Sequence, residues 1–221
     1  LENIQTNANP TSYPQLSDDG KVLVYINDGN SSSIYDSRAH FSTLSGGVYS
    51  HSNSIDDPTG FPDYGDTSVS LSGTGSFAAA AWVRMGTDLP GKNAGDAVTL
   101  EEQNLLMNST EIVASVYNGS RWTSTRLTKD GTPDLAPATA VGGDGKAIVF
   151  WRSVYTPDPV STSGSNNLLN FTTRDCIMYR RYDSGTWSKA QMLYNGATGR
   201  VKALQAAMLP DGTAMAVYSL D

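Results

Sequence analysis

The most constraining feature of this chain is that it repeats. Four tight-turn signals recur along it, each preceded by a short apolar run and followed by a run that ends in an aromatic residue. Leu16-Ser17-Asp18-Asp19-Gly20-Lys21 leads to Tyr25, and Leu71-Ser72-Gly73-Thr74-Gly75-Ser76 leads to Trp82. Val141-Gly142-Gly143-Asp144-Gly145-Lys146 leads to Trp151, and Leu209-Pro210-Asp211-Gly212-Thr213 to Tyr218. The glycines at 20, 75, 145 and 212 lie 55, 70 and 67 residues apart. A second hairpin follows in two of the units, as Tyr117-Asn118-Gly119-Ser120-Arg121-Trp122 and Tyr182-Asp183-Ser184-Gly185-Thr186-Trp187. Asn-Gly and Ser-Gly turns between β-branched and aromatic runs are strong hairpin signals. Upstream of both, Asn104-Leu105-Leu106 and Asn167-Leu168-Leu169 also correspond.

Four antiparallel strands in each unit of about 50 to 70 residues predict an all-β β-propeller, because such units bury their faces only by stacking on one another. The units run approximately over 13–57, 66–130, 135–196 and 201–221, giving about three and a half blades of a single domain or segment. In the first, a third strand is expected near Ser33 to His40 and a fourth near Val48 to Ser54. The expectation is a piece of a larger ring of about six to eight blades. A four-bladed ring closed with help from Ile4 to Asn7 is one alternative, and a β-sandwich is another. Open edge strands at either end would invite self-association.

Composition narrows the partners. With 15 Lys and Arg against 22 Asp and Glu the formal charge is -7, so no phosphate-binding surface and no nucleic-acid partner is expected. No apolar run approaches the roughly 18 residues needed to cross a bilayer, so no membrane insertion is expected. Cys176 stands alone, and two histidines, His40 and His51, do not make a strong zinc site. A chain poor in Cys and rich in Ser, Thr, Asn and Tyr reads as an extracellular or cell-surface domain of a bacterium.

The connections are lopsided. Those between first and second strands are tight, whereas those between second and third strands run about from Met85 to Ser109 and from Ser153 to Thr173. Long loops on a rigid scaffold carry function, so their face is the candidate binding face. Thr99-Leu100-Glu101-Glu102 within the first of them reads as a capping box ahead of a short helix. At the mouth sit Tyr25, Trp82, Arg84, Trp151, Arg152 and Tyr218, near the ends of the four second strands. A ring beside a guanidinium can stack on a sugar face and hold a carboxylate. Aromatics that recur once per unit also serve as packing between units, and alternation is expected to turn Arg84 and Arg152 differently from the tryptophans. For metal, Asp56, Asp57, Asp63 and Asp66 crowd one loop of oxygen ligands suited to Ca²⁺, although Asp beside Pro and Gly is also ordinary turn chemistry. No other cofactor is implied.

Asp183-Ser184-Gly185-Thr186-Trp187 resembles the Asp-box of sialidase-like propellers, one residue short between Gly and Trp, and Asn118 replaces the Asp in the other copy. More broadly, Trp82-Val83-Arg84 or Trp151-Arg152, followed by such a hairpin and then Lys129-Asp130-Gly131 or Tyr194-Asn195-Gly196, resembles repeats of secreted and cell-surface bacterial β-propellers. In the sialidase-like family the box is structural and catalysis needs an Arg cluster, which Ile26-Asn27 and Ser219-Leu220 do not supply at the equivalent places. The resemblance is one of architecture, and propellers of this kind serve glycan binding, protein binding and glycosidase chemistry alike. The expectation for this chain is a non-catalytic recognition or scaffold module that binds glycan or protein through the long-loop face. A sialidase-like glycoside hydrolase fragment is the alternative.

Overall fold

The computed structural model describes residues 13–28, 36–55, 58, 64–89, 91–92, 96–143, 145–154, 175–196 and 200–220. They form four antiparallel sheets, each built from consecutive strands. The first comprises β1 (Gln15–Leu16), β2 (Val22–Asn27) and β3 (Arg38–Ser45), with the short β4 (Val48–Tyr49) and β5 (Asn53–Ser54) both paired to β3. The second is the meander β6 (Asp66–Gly73), β7 (Ala78–Met85), β8 (Thr110–Tyr117) and β9 (Trp122–Arg126), with α1 (Leu100–Asn108) between β7 and β8. The third is β10 (Asp134–Val141), β11 (Ala147–Val154), β12 (Asp175–Asp183), β13 (Thr186–Trp187) and β14 (Gln191–Tyr194), the last two both on β12. A hairpin of β15 (Val201–Met208) and β16 (Ala214–Leu220) makes the fourth.

The sequence of the middle strands shows why the sheets stack. The second strands, Ala78-Ala79-Ala80-Ala81-Trp82-Val83 and Ala147-Ile148-Val149-Phe150-Trp151, are apolar without alternation, and every one of these residues is buried. That pattern belongs to a strand covered on both faces. One side of β7 joins β2 around Val22, Val24, Ile26 and Trp82, and the other joins β11 through Ala81, Val83 and Trp151. Phe150 and Ile177 extend the stack to Leu204 and Ala206 of β15.

The first strand of every sheet lies innermost. β1, β6, β10 and β15 together line a cavity of about 320 Å³ that Gln15, Ser70, Thr139 and Gln205 enter. Neighbouring inner strands are tied by side chains, with the Thr139 and Val141 N–H groups donating to the Ser70 and Ser72 hydroxyls at 3.0 and 3.1 Å. Radial four-stranded units around a shared axis are the arrangement of a β-propeller.

Three local expectations have clear outcomes. Thr99 caps α1 reciprocally, its hydroxyl accepting from Glu102 N–H at 3.2 Å while its own N–H donates to Glu102 Oε2 at 2.7 Å. In the first unit the third strand begins later than expected, at Arg38, because it pairs residue for residue with β2 from Asn27↔Arg38 to Val22↔Thr43. The Asp183 hairpin is a tight turn with Ser184 and Gly185 at φ 51° and 86°, the Ser184 hydroxyl donating to Asp183 Oδ1 at 3.0 Å. No helix among the described residues is long and apolar enough to cross a membrane.

Candidate functional site

The polar residues that matter lie where inner strands begin and second strands end, on the face that carries the connection through α1. In the second sheet Asp66, Arg84 and Glu111 stand side by side across β6, β7 and β8. Arg84 donates from Nε to Asp66 Oδ1 at 2.6 Å and from Nη2 to Asp66 Oδ2 at 2.8 Å, and Ala39 N–H adds a bond to Oδ2 at 2.9 Å. Arg84 is 1% exposed and Asp66 is fully buried. Burial pushes the Asp66 carboxyl above its ordinary range, against the guanidinium that favours its charged form.

The third sheet repeats this corner with one change. Asp134 opens β10 as Asp66 opens β6, and both strands then bulge, with Ser68 and Ala136 in the left-handed region at φ 56° and 49°. Trp151 follows Trp82 in register, but the residue paired with Asp134 is Ser153, where Asp66 has Arg84. Among the described residues, Asp134 is therefore buried with no guanidinium bonded to it. Its Oδ1 accepts from Trp151 Nε1 at 3.0 Å, and no hydrogen bond reaches its Oδ2 among the described residues. Burial pushes this carboxyl up to about 7, offset only in part by the nearby Ser153 and Thr128 hydroxyls.

Two more acids complete a cluster. Carboxylate oxygens of Glu111, Asp130 and Asp134 lie within 4.8 Å of one another. Glu111 Oε1 accepts from Arg126 Nη2 at 3.0 Å, while its buried Oε2 has no partner among the described residues. Burial raises the Glu111 carboxyl as well. Asp130 is exposed, and its Oδ1 accepts from Thr132 N–H at 3.0 Å and from the Thr132 hydroxyl at 2.6 Å.

Beside this cluster a cleft of about 480 Å³ opens between the second and third sheets, with Arg126, Lys129, Asp130, Trp151, Met178 and Arg180 among its walls. The sheet register puts them there: Trp151 pairs with Met178 and Val149 with Arg180, so all four project from the same face of the third sheet. Arg180 Nε is buried without a partner among the described residues, and burial lowers the pKa of this guanidinium.

The residues singled out from sequence are not gathered into one site. Trp82 and Tyr25 are buried, Trp82 in the wall between the first two sheets. Tyr218, 37% exposed, stacks on Tyr194 with ring centroids 5.4 Å apart. Arg152 turns toward the fourth unit, its Nη1 donating to Val201 C=O at 3.3 Å and its Nε 3.7 Å from Asp175 Oδ2. Only Trp151 of this set lines the cleft. The expected opposite turn of the arginines holds for Arg152, one residue from Trp151, and fails for Arg84, which is two residues from Trp82 and so shares its face. Of the loop aspartates, Asp56, Asp57 and Asp63 lie outside the described residues, and Asp66 is the partner of Arg84.

Glu111, Asp130, Asp134 and Arg180 escaped the sequence reading because Glu111 and Arg180 come from strands distant in the chain from Asp130 and Asp134, and the four form no spaced motif. The signal was present in the repeat itself: aligning Trp82 with Trp151 exposes the exchange of Arg84 for Ser153.

No family model matches the chain, and a search of curated proteins finds no match. Among solved structures the chain is similar to an α-L-arabinanase of Penicillium chrysogenum complexed with arabinobiose, at a TM-score of 0.45 and 11% identity. The similarity covers 90% of this chain and 53% of the arabinanase, so the chain spans about half of that protein's length.

Proposed function

We propose that this chain is a non-catalytic recognition module of an exported bacterial protein, and that it binds glycan in the cleft between its second and third sheets. The observation that carries the reading is the lining of that cleft. Arg180, whose Nε is buried with no partner among the described residues, stands beside Lys129, Asp130 and the apolar wall of Trp151 and Met178. Sugar recognition needs this mixture, an apolar surface for the C–H face of the ring and directional polar groups for its hydroxyls or carboxylate. The volume, about 480 Å³, lies within the range of small-ligand sites.

A hydrolase reading has one observation in its favour, the close carboxyls of Glu111 and Asp134, the second held at about 7 by burial. Against it, Glu111 is 2% exposed and Asp134 fully buried, whereas a general acid must touch the glycosidic oxygen. An array of neutral and uronate-bearing oligosaccharides tests both readings. Binding that Arg180→Ala weakens by about tenfold or more, with no reducing sugar released, is the expected result. Absence of any binding, or binding indifferent to Arg180→Ala, would overturn the proposal, and release of reducing sugar that Glu111→Gln abolishes would establish the hydrolase in its place.

A further inference from the structure

The exchange of Arg84 for Ser153 has a chemical consequence at Asp134. In the second sheet a buried carboxylate is neutralised by a guanidinium that reaches both of its oxygens. In the third sheet the same backbone corner holds the same carboxylate, and the residue opposite it is a serine. Leaving an ionised carboxyl buried and uncompensated is costly, so the positive charge must come from elsewhere or the group must keep a proton. Around Asp134 the structure collects further oxygen donors. Glu111 Oε2 is buried with no hydrogen-bond partner among the described residues, and Asp130 is exposed beside the cleft. A span of 4.8 Å among the three carboxylates matches two oxygens on opposite sides of one Ca²⁺, at about 2.3 to 2.6 Å each.

We propose that Glu111, Asp130 and Asp134 bind a divalent cation of calcium size, which takes the place that the Arg84 guanidinium holds in the preceding unit. The donor set is all carboxylate oxygen, which selects a hard cation over zinc or copper. The Arg126 guanidinium already serves Glu111 Oε1, so the set offers roughly two uncompensated negative charges to the ion. Asp130 gives the ion its entry path, and the hydroxyls of Thr128 and Ser153 adjoin the site. The cation would stiffen the connection from β9 to β10, which forms one wall of the cleft. This inference stands on the carboxylates alone and does not depend on what occupies the cleft.

Terbium is a direct probe, because Tb³⁺ replaces Ca²⁺ on oxygen ligands and emits when a nearby indole is excited. The Trp151 indole nitrogen is 3.0 Å from Asp134 Oδ1 and is placed to sensitise it. The expected result is saturable Tb³⁺ emission at one equivalent per chain, displaced by Ca²⁺, together with a rise in the thermal midpoint on adding Ca²⁺. Asp130→Asn changes only an exposed ligand and should weaken binding by about tenfold or more. Ser153→Arg offers the missing guanidinium from within the chain, into a cleft that Ser153 already lines, and should abolish binding while circular dichroism shows the chain folded. Absence of saturable emission would show that Asp134 carries a proton only and would overturn the proposal. Emission unchanged by Asp130→Asn would overturn it equally, and that variant decides the question if Ser153→Arg does not fold.

Discussion

Replacing Arg84 by Met removes a charge and keeps most of the side-chain stem. The buried partner, Asp66, then retains the Ala39 N–H at 2.9 Å but loses both guanidinium bonds, at 2.6 and 2.8 Å. Because Asp66 is fully buried, water cannot replace them. Breaking a buried pair from one side costs about 3 to 5 kcal/mol, a large share of the roughly 5 to 15 kcal/mol that holds a domain folded. The loss has a pH signature. Asp66 already has a folded-state pKa above its ordinary value of 3.8, so the folded state holds the proton more tightly than the unfolded one. Stability therefore falls as pH rises from the unfolded value through the folded one. Removing Arg84 raises the folded value further, which makes the deficit of Arg84→Met smallest in mild acid, near the unfolded value, and largest at neutral pH. Urea unfolding of wild type and variant at matched pH values measures it through the midpoint at constant slope. A neutral-pH deficit below about 1 kcal/mol, or one that does not grow with pH, would refute the argument that the pair is held by burial. The double replacement with Asp66→Asn should recover part of the loss, since no charge is then left uncompensated.

Two further outcomes follow from burial and from strand pairing. Cys176 is buried and its thiol is pushed up to about 11, chiefly by desolvation, so a thiol reagent at pH 8 should label it only on unfolding, and rapid stoichiometric labelling of the native chain would contradict the placement of β12. Among the described residues β16 pairs with β15 alone, and it exposes Met215 and Val217, so light scattering should show a mass that rises with concentration and that Val217→Lys holds down; a constant monomer mass would refute association through this edge.

The strand order was legible because turn chemistry and burial act locally. Each Asp-Gly, Asn-Gly or Ser-Gly turn fixes a hairpin register, and the unbroken apolar runs ending at Trp82 and Trp151 mark strands covered on both faces. The packing role of the repeated aromatics was legible for the same reason. Side-chain direction at Arg84 was open to a simple count, since residues two apart on a strand share a face, and the bidentate bond to Asp66 follows from that parity. The carboxylate cluster was not legible in this way. Local density of Asp between positions 56 and 66 drew attention to one loop, whereas Glu111, Asp130 and Asp134 are brought together by the stacking of two sheets.

What distinguishes the cluster from ordinary surface acid is that the protein meets its buried aspartates in different ways. Asp66 is neutralised by Arg84 across one strand pair. Asp175, which opens β12, is met by the Val201 N–H at 2.9 Å and by Arg152 at 3.7 Å, both reaching its Oδ2. Asp134 alone of these three has no cation within its own sheet in the register position that supplies one to Asp66. Repeat proteins satisfy equivalent positions in equivalent ways when only stacking is at stake, because each unit meets the same neighbours. A unit that breaks the rule at a buried charge, beside a cleft where Arg180 Nε has no partner among the described residues, carries a local inconsistency of the kind that marks a site built for something outside the chain. The Ser153→Arg replacement tests that directly, by restoring the rule.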